Sequence, residues 1–300
     1  MSPALAGHLL ALFAVSVWGT TFVSTKLLLT QLGPVEILFD RFLLAWLVLW
    51  LIHPVWRRPE GWRRELHYLA LGAFGVTLYF LTENYALTMT QASNVGLLVS
   101  SAPLLTALFA HFFTRDERLS RTLLAGSLIA FAGVGLVMFN GSVVLRLNPL
   151  GDLLALCAGA MWAVYSILLR RMNQPHGLLY LTRKVFFYGL LTMLPALWLS
   201  GYRLAGPVLA STAVWPQLLF LGLIASALCY VVWNAAVQRI GAVKASNYIY
   251  LIPAITMLTA VLVLGERITP LSMAGAALIV LGVYVAEHGL PKWLRLRAAE

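Results

Sequence analysis

Charged residues are scarce in this 300-residue chain: Asp, Glu, Lys and Arg together make up 11% of it, and acidic residues number only 11. A soluble domain carries about 25% charged residues, so this composition excludes a soluble enzyme or binding module. Cysteine is also rare, with 2 residues, which excludes a disulfide-rich secreted scaffold. Apolar residues instead fill 61% of positions, at a mean hydropathy of +0.85. The chain is therefore expected to be an integral membrane protein.

Sequence motifs for common chemistries are also lacking. The sequence contains no P-loop, no glycine-rich dinucleotide turn and no HExxH metalloprotease pattern, and such motifs mark phosphate, dinucleotide and zinc sites. Its histidines and cysteines do not follow a zinc spacing. We therefore expect neither an enzyme nor a cofactor or metal. The net charge is +10, but the basic residues do not cluster on a soluble face, so no nucleic-acid partner is expected.

Long apolar stretches recur along the whole chain. A helix needs about 20 apolar residues to cross a hydrocarbon core of ~30 Å. Windows of that length lie at 8–29, 34–53, 67–88, 92–113, 121–140, 150–171, 178–200, 214–237, 242–264 and 271–289. The sequence thus predicts an all-α integral membrane protein with ten transmembrane helices, called spans 1 to 10 below, and a lipid bilayer around it. We expect a multi-pass protein of the cell membrane, the bacterial inner membrane being favoured.

The basic residues indicate an orientation, because short cytoplasmic connections carry an excess of Lys and Arg. With the N-terminus inside, the cytoplasmic connections contain most of them, including Arg57, Arg58, Arg63, Arg64, Arg170, Arg171 and the basic segment after residue 289. The outer connections contain few, among them Arg146 and Arg203. We therefore predict that both termini face the cytoplasm.

The two halves of the chain align with each other. The stretch 8–23 aligns with 152–167, so that Trp18 falls on Trp162. Five further pairs continue the alignment: Asn84 with Asn234, Pro103 with Pro253, Glu117–Arg118 with Glu266–Arg267, Gly126 with Gly275 and Gly133 with Gly282. The paired glycines are spaced i, i+7, which favours close helix contacts.

The repeat unit contains an odd number of spans, so the second copy enters the membrane upside down relative to the first. We predict a first repeat over residues 1–141, a second, inverted repeat over 142–289 and a basic cytoplasmic tail over 290–300. Inverted repeats are typical of secondary transporters, in which a pseudo-two-fold axis relates two forms open to opposite sides.

Several short motifs follow one another along the chain. The first half contains Trp18–Phe22, Arg41–Phe42 and Asn84–Asn94 followed by Ala102–Pro103, and the second half contains Ala242–Pro253, Leu264–Ile268 and Ala274–Gly275. This combination resembles the EamA-type ten-helix members of the drug/metabolite transporter superfamily, over nearly the whole chain. The second half departs from the pattern at 161–166, which lacks the Gly-Thr-Thr portion of the first.

The resemblance implies a secondary transporter that exports or exchanges small metabolites, most often amino acids or related amphipathic compounds. The substrate would bind in a central cavity between the repeats, reached from each side in turn. Two alternatives stay open: an exporter of hydrophobic cations or drugs, and a membrane-embedded transferase. The identity of the substrate, the coupling ion and the oligomeric state stay open as well, and a monomer is compatible with the sequence.

Polar and aromatic residues at membrane depth mark the candidate cavity, because polar groups inside a span are costly unless they are satisfied. Helical spacing places them on shared faces of spans 1 and 6 and of spans 3 and 8. The candidates on these faces are Trp18, Thr21, Tyr79, Glu83, Asn84, Trp162, Tyr165, Tyr230, Trp233 and Asn234. Ordinary helix packing is the alternative, with paired amides binding helices together.

Charge inside the predicted spans is confined to few positions. Glu83 is matched in the second repeat by Trp233, so it is not a relic of the duplication. It is a candidate for carrying a coupling proton or meeting a substrate amine, and the alternative is a Glu that reaches outward. Asp40 and Arg41 lie in span 2, where Arg41 would either neutralise a buried carboxylate or meet a substrate carboxylate.

Spans 4 and 9 each contain a proline, Pro103 and Pro253. Proline removes a backbone donor and kinks a helix, so these two are candidate hinges, with simple curvature as the alternative. Polar and aromatic residues near them complete the candidate cavity: Asn94, Ser101, Asn247 and Tyr250.

Overall fold

The computed structural model describes residues 2–28, 31–89, 92–114, 119–139, 148–172, 176–201, 211, 214–264 and 269–289. Every regular element in this part of the chain is helical, as the sequence predicts. The predicted tail at 290–300 and the motif pairs Glu117–Arg118 and Glu266–Arg267 lie outside the described residues.

Helices occupy most of the described residues of each predicted window. The first half contains α1 (Pro3–Leu28), α2 (Pro34–Ile52), α3 (Trp62–Gly72), the π-helix π1 (Ala73–Leu78), α4 (Tyr79–Met89), α5 (Ala92–Val99), α6 (Ala102–Phe113) and α7 (Arg121–Phe139). The second half contains α8 (Pro149–Arg171), α9 (Gly177–Leu199), α10 (Trp215–Leu219), the π-helix π2 (Phe220–Leu228), α11 (Cys229–Ile240), α12 (Ala242–Asn247), a 3₁₀ turn (Tyr248–Leu251), α13 (Ile252–Leu264) and α14 (Pro270–His288).

Within the residues that the structure describes, five helical stretches are long and apolar enough to cross a membrane by length and composition. They are Pro3–Thr21, Val95–Phe113, Pro149–Arg171, Trp215–Ile240 and Pro270–His288, and a shorter apolar helix covers Arg121–Val137. Large apolar side chains such as Leu51, Trp198 and Leu262 are exposed along the helices, each more than 65% accessible. Such a surface suits lipid and not water.

Local sequence sets several helix ends. Proline occupies the first position of α2, α8 and α14, where its missing N–H costs nothing. Asn148 caps α8 by accepting from the Gly151 amide at 3.0 Å, and Thr269 caps α14 in the same way. Helix α11 ends at Gly241, whose φ of 91° is the left-handed region that glycine enters at little cost.

The last helix of each half packs against the other at backbone distance. A Cβ on Gly126 of α7 would lie 2.6 Å from the Gly282 carbonyl oxygen and 2.3 Å from the Ala286 amide nitrogen of α14. Gly275 of α14 similarly meets the Gly133 carbonyl oxygen at 2.7 Å. The expectation that these glycines form close helix contacts is therefore confirmed.

Two further glycines, matched by the repeat, bring the halves together elsewhere. Gly72 at the end of α3 would place a Cβ 2.5 Å from the Gly189 amide nitrogen of α9. Gly222 in π2 would place one 3.2 Å from the Arg41 carbonyl oxygen of α2. These contacts position spans 3 and 8 on either side of the central core.

Candidate functional site

An aromatic cluster fills the centre of the molecule and contains side chains of both halves. The Trp18 ring of α1 lies 5.5 Å from the Trp162 ring of α8, 5.2 Å from the Trp233 ring and 5.9 Å from the Tyr230 ring, both of α11. Tyr79 of α4 lies 5.3 Å from Trp162. We call these five residues the central aromatic cluster. Sequence analysis singled out all five.

Neighbouring aromatic side chains extend this cluster on two sides. Tyr165 contacts both Trp162 and Tyr230, with ring centroids 5.2 and 6.2 Å apart. On the other side, Phe42 and Phe186 lie 5.7 and 5.1 Å from Tyr230. Sequence analysis did not single out these two phenylalanines, because they carry no polar atom and look like ordinary core residues. Only the adjacency of Phe42 to Arg41 pointed to it.

The π-helical segments supply carbonyl groups to the cluster. A π-helix shifts the backbone hydrogen-bond pattern, and such segments often occur at functional sites. The Ala225 carbonyl of π2 accepts from the Trp18 indole at 2.9 Å, and the Gly75 carbonyl of π1 accepts from the Tyr230 hydroxyl at 2.9 Å. Gly75 and Ala225 are equivalent in the repeat alignment. No sequence signal indicated either π-helix, because both read as continuous apolar helix.

A charged group borders the cluster. Arg41 of α2 is buried, at 8% exposure, and its Nε donates to the Ser226 hydroxyl of π2 at 2.9 Å. Its guanidinium also lies 5.3 Å from the centre of the Phe80 ring. Arg41 interacts electrostatically with Glu83 of α4, and Glu83 is half-buried and hydrogen-bonded to Tyr79. The structure therefore brings Arg41, Tyr79 and Glu83 together, with Glu83 turned inward.

Two indole donors in the cluster have no acceptor. The Nε1 atoms of Trp162 and Trp233 lack a hydrogen-bond partner among the described residues. Water cannot easily replace the partner, because the two residues are only 5% and 0% exposed. A buried, unsatisfied donor costs about 1–3 kcal/mol. Groups left unsatisfied in this way are often paired in a functional state.

The amide of Asn234 is used for packing. Its Oδ1 accepts from the Tyr165 hydroxyl at 2.7 Å, and its Nδ2 donates to the Thr182 hydroxyl of α9 at 2.9 Å. Asn234 is fully buried and joins α8, α9 and α11. Its repeat counterpart Asn84 is half-buried on α4. In this conformation Asn234 therefore binds helices together.

Other candidates lie outside the cluster or use their polar atoms locally. The Thr21 hydroxyl donates to the Trp18 carbonyl at 2.7 Å, and the Ser101 hydroxyl donates to the Leu98 carbonyl at 2.6 Å. Asp40 is half-buried on α2. Tyr250 packs with apolar residues of α7 and α14, away from the central rings. The side chain of Asn94 lies outside the described residues, and Asn247 belongs to a separate polar cluster described below.

The two candidate hinge prolines follow helix breaks. Pro103 is the second residue of α6, directly after the interruption at Ser100 and Ser101. Pro253 is the second residue of α13, directly after the 3₁₀ turn Tyr248–Leu251. Spans 4 and 9 are thus interrupted at equivalent points, each directly before its proline.

Within the described part of the chain, no group of three or more His, Cys, Asp or Glu side chains is arranged to hold a metal ion. The central aromatic cluster offers aromatic faces and indole donors, and the neighbouring Arg41 and Glu83 add a guanidinium and a carboxylate. These groups suit non-covalent binding of a small amphipathic molecule.

Comparison with known proteins agrees with this chemistry. The EamA-like transporter family model matches residues 5–139 and again residues 149–286. The chain belongs to the EamA-like transporter family. It is a multi-pass membrane transporter and not an enzyme.

Individual relatives extend the comparison. An uncharacterized transporter of Archaeoglobus fulgidus is 31% identical over 93% of this chain and 96% of its own length. A probable amino-acid metabolite efflux pump of Salmonella typhimurium is 28% identical over 93% and 94%. A solved crystal structure of another protein superposes with a TM-score of 0.77 at 24% identity, covering 95% of this chain and 98% of that one. The last likeness concerns the fold alone.

Proposed function

We propose that this EamA-like transporter exports or exchanges amino acids or related amphipathic metabolites, bound at the central aromatic cluster. The observation that carries the proposal is the pair of buried indole N–H groups of Trp162 and Trp233, which have no acceptor in the part of the chain that the structure describes. They lie among rings contributed by both halves of the chain. A substrate carboxylate would accept from one or both, and its apolar part would pack on the faces of Trp18 and Tyr230.

The charges beside the cluster favour a zwitterionic substrate. Arg41 and Glu83 have opposite formal charges and interact with each other, so the site as a whole is nearly neutral. A zwitterion brings one charge of each sign and preserves that balance, whereas a hydrophobic cation would leave Arg41 beside an added positive charge. The name of the Salmonella typhimurium relative is consistent with an amino-acid metabolite.

The proposed architecture is ten spans in two inverted repeats, 1–141 and 142–289, with both termini in the cytoplasm. Two matching family segments support the duplication. The glycine contacts support the inverted relation. Gly126 contacts Gly282 and Ala286 of α14, and Gly275 contacts Gly133 and Val137 of α7. Each contact becomes the other when the halves are exchanged. We place the protein in the bacterial inner membrane.

Alternating access is the proposed mechanism. The interruptions before Pro103 and Pro253 divide spans 4 and 9 into segments that tilt separately. The site lies between the halves, so a rocking of one repeat against the other would open it to each side in turn. Glu83, hydrogen-bonded to Tyr79, is the proposed carrier of a coupling proton at this site.

Uptake into proteoliposomes tests the proposal. Labelled amino acids and several hydrophobic cations are offered with and without a pH gradient, against empty vesicles. Saturable amino-acid flux is expected, with weaker flux after Trp18→Ala or Trp162→Ala at normal membrane insertion. Glu83→Gln should abolish stimulation by the gradient and retain solute exchange. Saturable flux of the cations alone would assign the alternative substrate class, and unchanged kinetics in both tryptophan variants would remove the cluster from the binding site.

A further inference from the structure

A second cluster of polar and titratable side chains lies at the junction of α1, α12, the 3₁₀ turn and α14, apart from the central rings. His8 Nδ1 of α1 and the Tyr248 hydroxyl of the 3₁₀ turn are 2.9 Å apart. Asn247 Nδ2, at the end of α12, donates to Glu287 Oε1 of α14 at 3.1 Å. The two hydrogen bonds thus involve adjacent residues of span 9, the last residue of α12 and the first residue of the 3₁₀ turn.

Burial makes this cluster unusual. Asn247 is fully buried, and its Oδ1 has no hydrogen-bond partner among the described residues. The neighbouring Ser246 hydroxyl is also fully buried and in the same condition. Glu287 is half-buried. An acceptor without a donor therefore lies on the same amide that already binds the Glu287 carboxylate.

The charged groups around Glu287 come from three elements. They are His8 of α1, Lys244 of α12 and His288 of α14 itself. A carboxylate beside Lys244 and two histidines is a poor site for Na⁺, because a metal cation would add to the positive charge of Lys244. A proton suits the site better, since it neutralises the carboxylate and needs only one acceptor.

We propose that Glu287 and His8 form a proton-binding site that sets the conformation of span 9, an inference that rests on the proposed transport function. An ionised Glu287 only accepts hydrogen bonds, and it receives one from Asn247 Nδ2. A protonated Glu287 donates one, and the acceptor available to it is Asn247 Oδ1. Uptake of a proton at Glu287 therefore reverses the preferred orientation of the Asn247 amide. Asn247 lies directly before the 3₁₀ turn that precedes Pro253.

The site exists at one end of the molecule only. In the repeat alignment Glu287 corresponds to Met138, and Asn247 and Tyr248 correspond to Leu97 and Leu98. The equivalent junction therefore lacks the carboxyl–amide pair, and Asp152 stands there in the place of His8. In the proposed orientation Glu287 and His8 face the cytoplasmic side, so cytoplasmic pH alone would bias the equilibrium between the two open forms.

Transport assays test the proposal with the full-length protein in proteoliposomes. Exchange of labelled amino acid is measured at equal pH on both sides, from pH 5.5 to 8.5. The wild-type rate should change at least threefold over this range. Glu287→Gln should at least halve this pH dependence while exchange persists, the remainder coming from the proposed coupling proton on Glu83, and His8→Gln should also reduce it. Glu36→Gln, a carboxylate change at the start of α2, is the matched control and should keep the wild-type profile.

Hydrogen exchange of the backbone amides over 242–252 gives a readout independent of transport. The protection factor of these amides, which is their exchange rate relative to the intrinsic rate at the same pH, should change with pH in the wild type and stay constant in Glu287→Gln. Glu287→Asp, which keeps a carboxyl group, should retain the pH response and covers the case in which Glu287→Gln fails to fold. A Glu287→Gln profile equal to the wild type in both assays would overturn the proposal. The proposal would also be overturned if replacing choline by Na⁺ changed the rate of amino-acid exchange in the wild type and left it unchanged in Glu287→Gln.

Failure of the two proposals can be told apart. Absence of amino-acid exchange in the wild type would contradict the proposed transport function. In that case the proton site would still be supported if the protection factors of amides 242–252 depended on pH in the wild type and not in Glu287→Gln.

Discussion

Replacing Gly126 by Ala is expected to destabilise the protein, whereas the same replacement at Gly135 of the same helix should not. At Gly126 the added Cβ would lie 2.3 Å from the Ala286 amide nitrogen and 2.6 Å from the Gly282 carbonyl oxygen. Both are backbone atoms of α14, so the contact is relieved only when α7 and α14 separate. At Gly135 the nearest atom, Leu97 Cδ1, is 3.9 Å away, which is an ordinary contact.

The difference between the two variants follows from two opposing terms. Alanine favours a helix over glycine by up to about 1 kcal/mol, and both positions gain this term. Overpacking a tight interface costs about 1–3 kcal/mol, and only Gly126 incurs it. The free energy of unfolding should therefore fall by about 1–2 kcal/mol for Gly126→Ala and rise slightly for Gly135→Ala. A shift of about 2–4 °C per kcal/mol separates their midpoints by roughly 5–10 °C.

Thermal unfolding of the purified protein, followed by tryptophan fluorescence and by size-exclusion recovery, measures this difference. Gly282→Ala should behave like Gly126→Ala, because its Cβ would lie 2.3 Å from the Ala130 amide nitrogen. Equal midpoints for Gly126→Ala and Gly135→Ala would refute the reasoning. The α7–α14 contact would then be loose in the folded protein.

Three further outcomes are expected. Asn234→Leu leaves the Tyr165 and Thr182 hydroxyls without their buried partner and should lower the free energy of unfolding by about 2–4 kcal/mol, measured by thermal unfolding. Burial alone would raise the pKa of Glu65, but hydrogen bonds from Tyr188 and Lys184 hold it below its usual value. The Lys184 contact therefore stabilises the fold at neutral pH. Lys184→Met should lower the unfolding midpoint there, and the difference from the wild-type midpoint should shrink as the pH falls below about 4. Trp18→Phe keeps a ring in the cluster but removes the donor to the Ala225 carbonyl, so it should slow amino-acid uptake less than Trp18→Ala does.

The sequence predicts the helical content and the central aromatic residues well, for identifiable physical reasons. An apolar window of span length predicts a helix, because a helix forms all its backbone hydrogen bonds within one segment and therefore tolerates lipid. Trp18, Trp162 and Trp233 were predicted because they share helix faces with polar side chains, and polar side chains at membrane depth indicate the interior of the protein. Gly126 and Gly275 were found because their spacing repeats in both halves, and the structure confirms close packing there.

Other features have no signature in a single sequence. The π-helices before Tyr79 and Cys229 both contain Ala, Gly, Leu and Phe with a Thr or Ser, which also suit an α-helix, and only tertiary hydrogen bonds such as Trp18 to Ala225 reveal the shift. The contact of Glu287 with Asn247 joins residues 40 positions apart. Its sequence context, at the end of an apolar span among basic residues, is that of a helix terminus.

The repeat-related seams around Gly72 and Gly222 differ in chemistry, and this difference has a consequence for transport. Beside Gly72, Glu65 accepts from Lys184 Nζ at 2.9 Å and from the Tyr188 hydroxyl at 2.5 Å. Beside Gly222, the corresponding seam is closed by an apolar cluster that contains Leu32, Ile37, Val214 and Leu218. Hydrophobic closure is insensitive to salt, whereas an ion pair is weakened by it. Raising the salt concentration should therefore favour opening at the Glu65 seam, which is cytoplasmic in the proposed orientation.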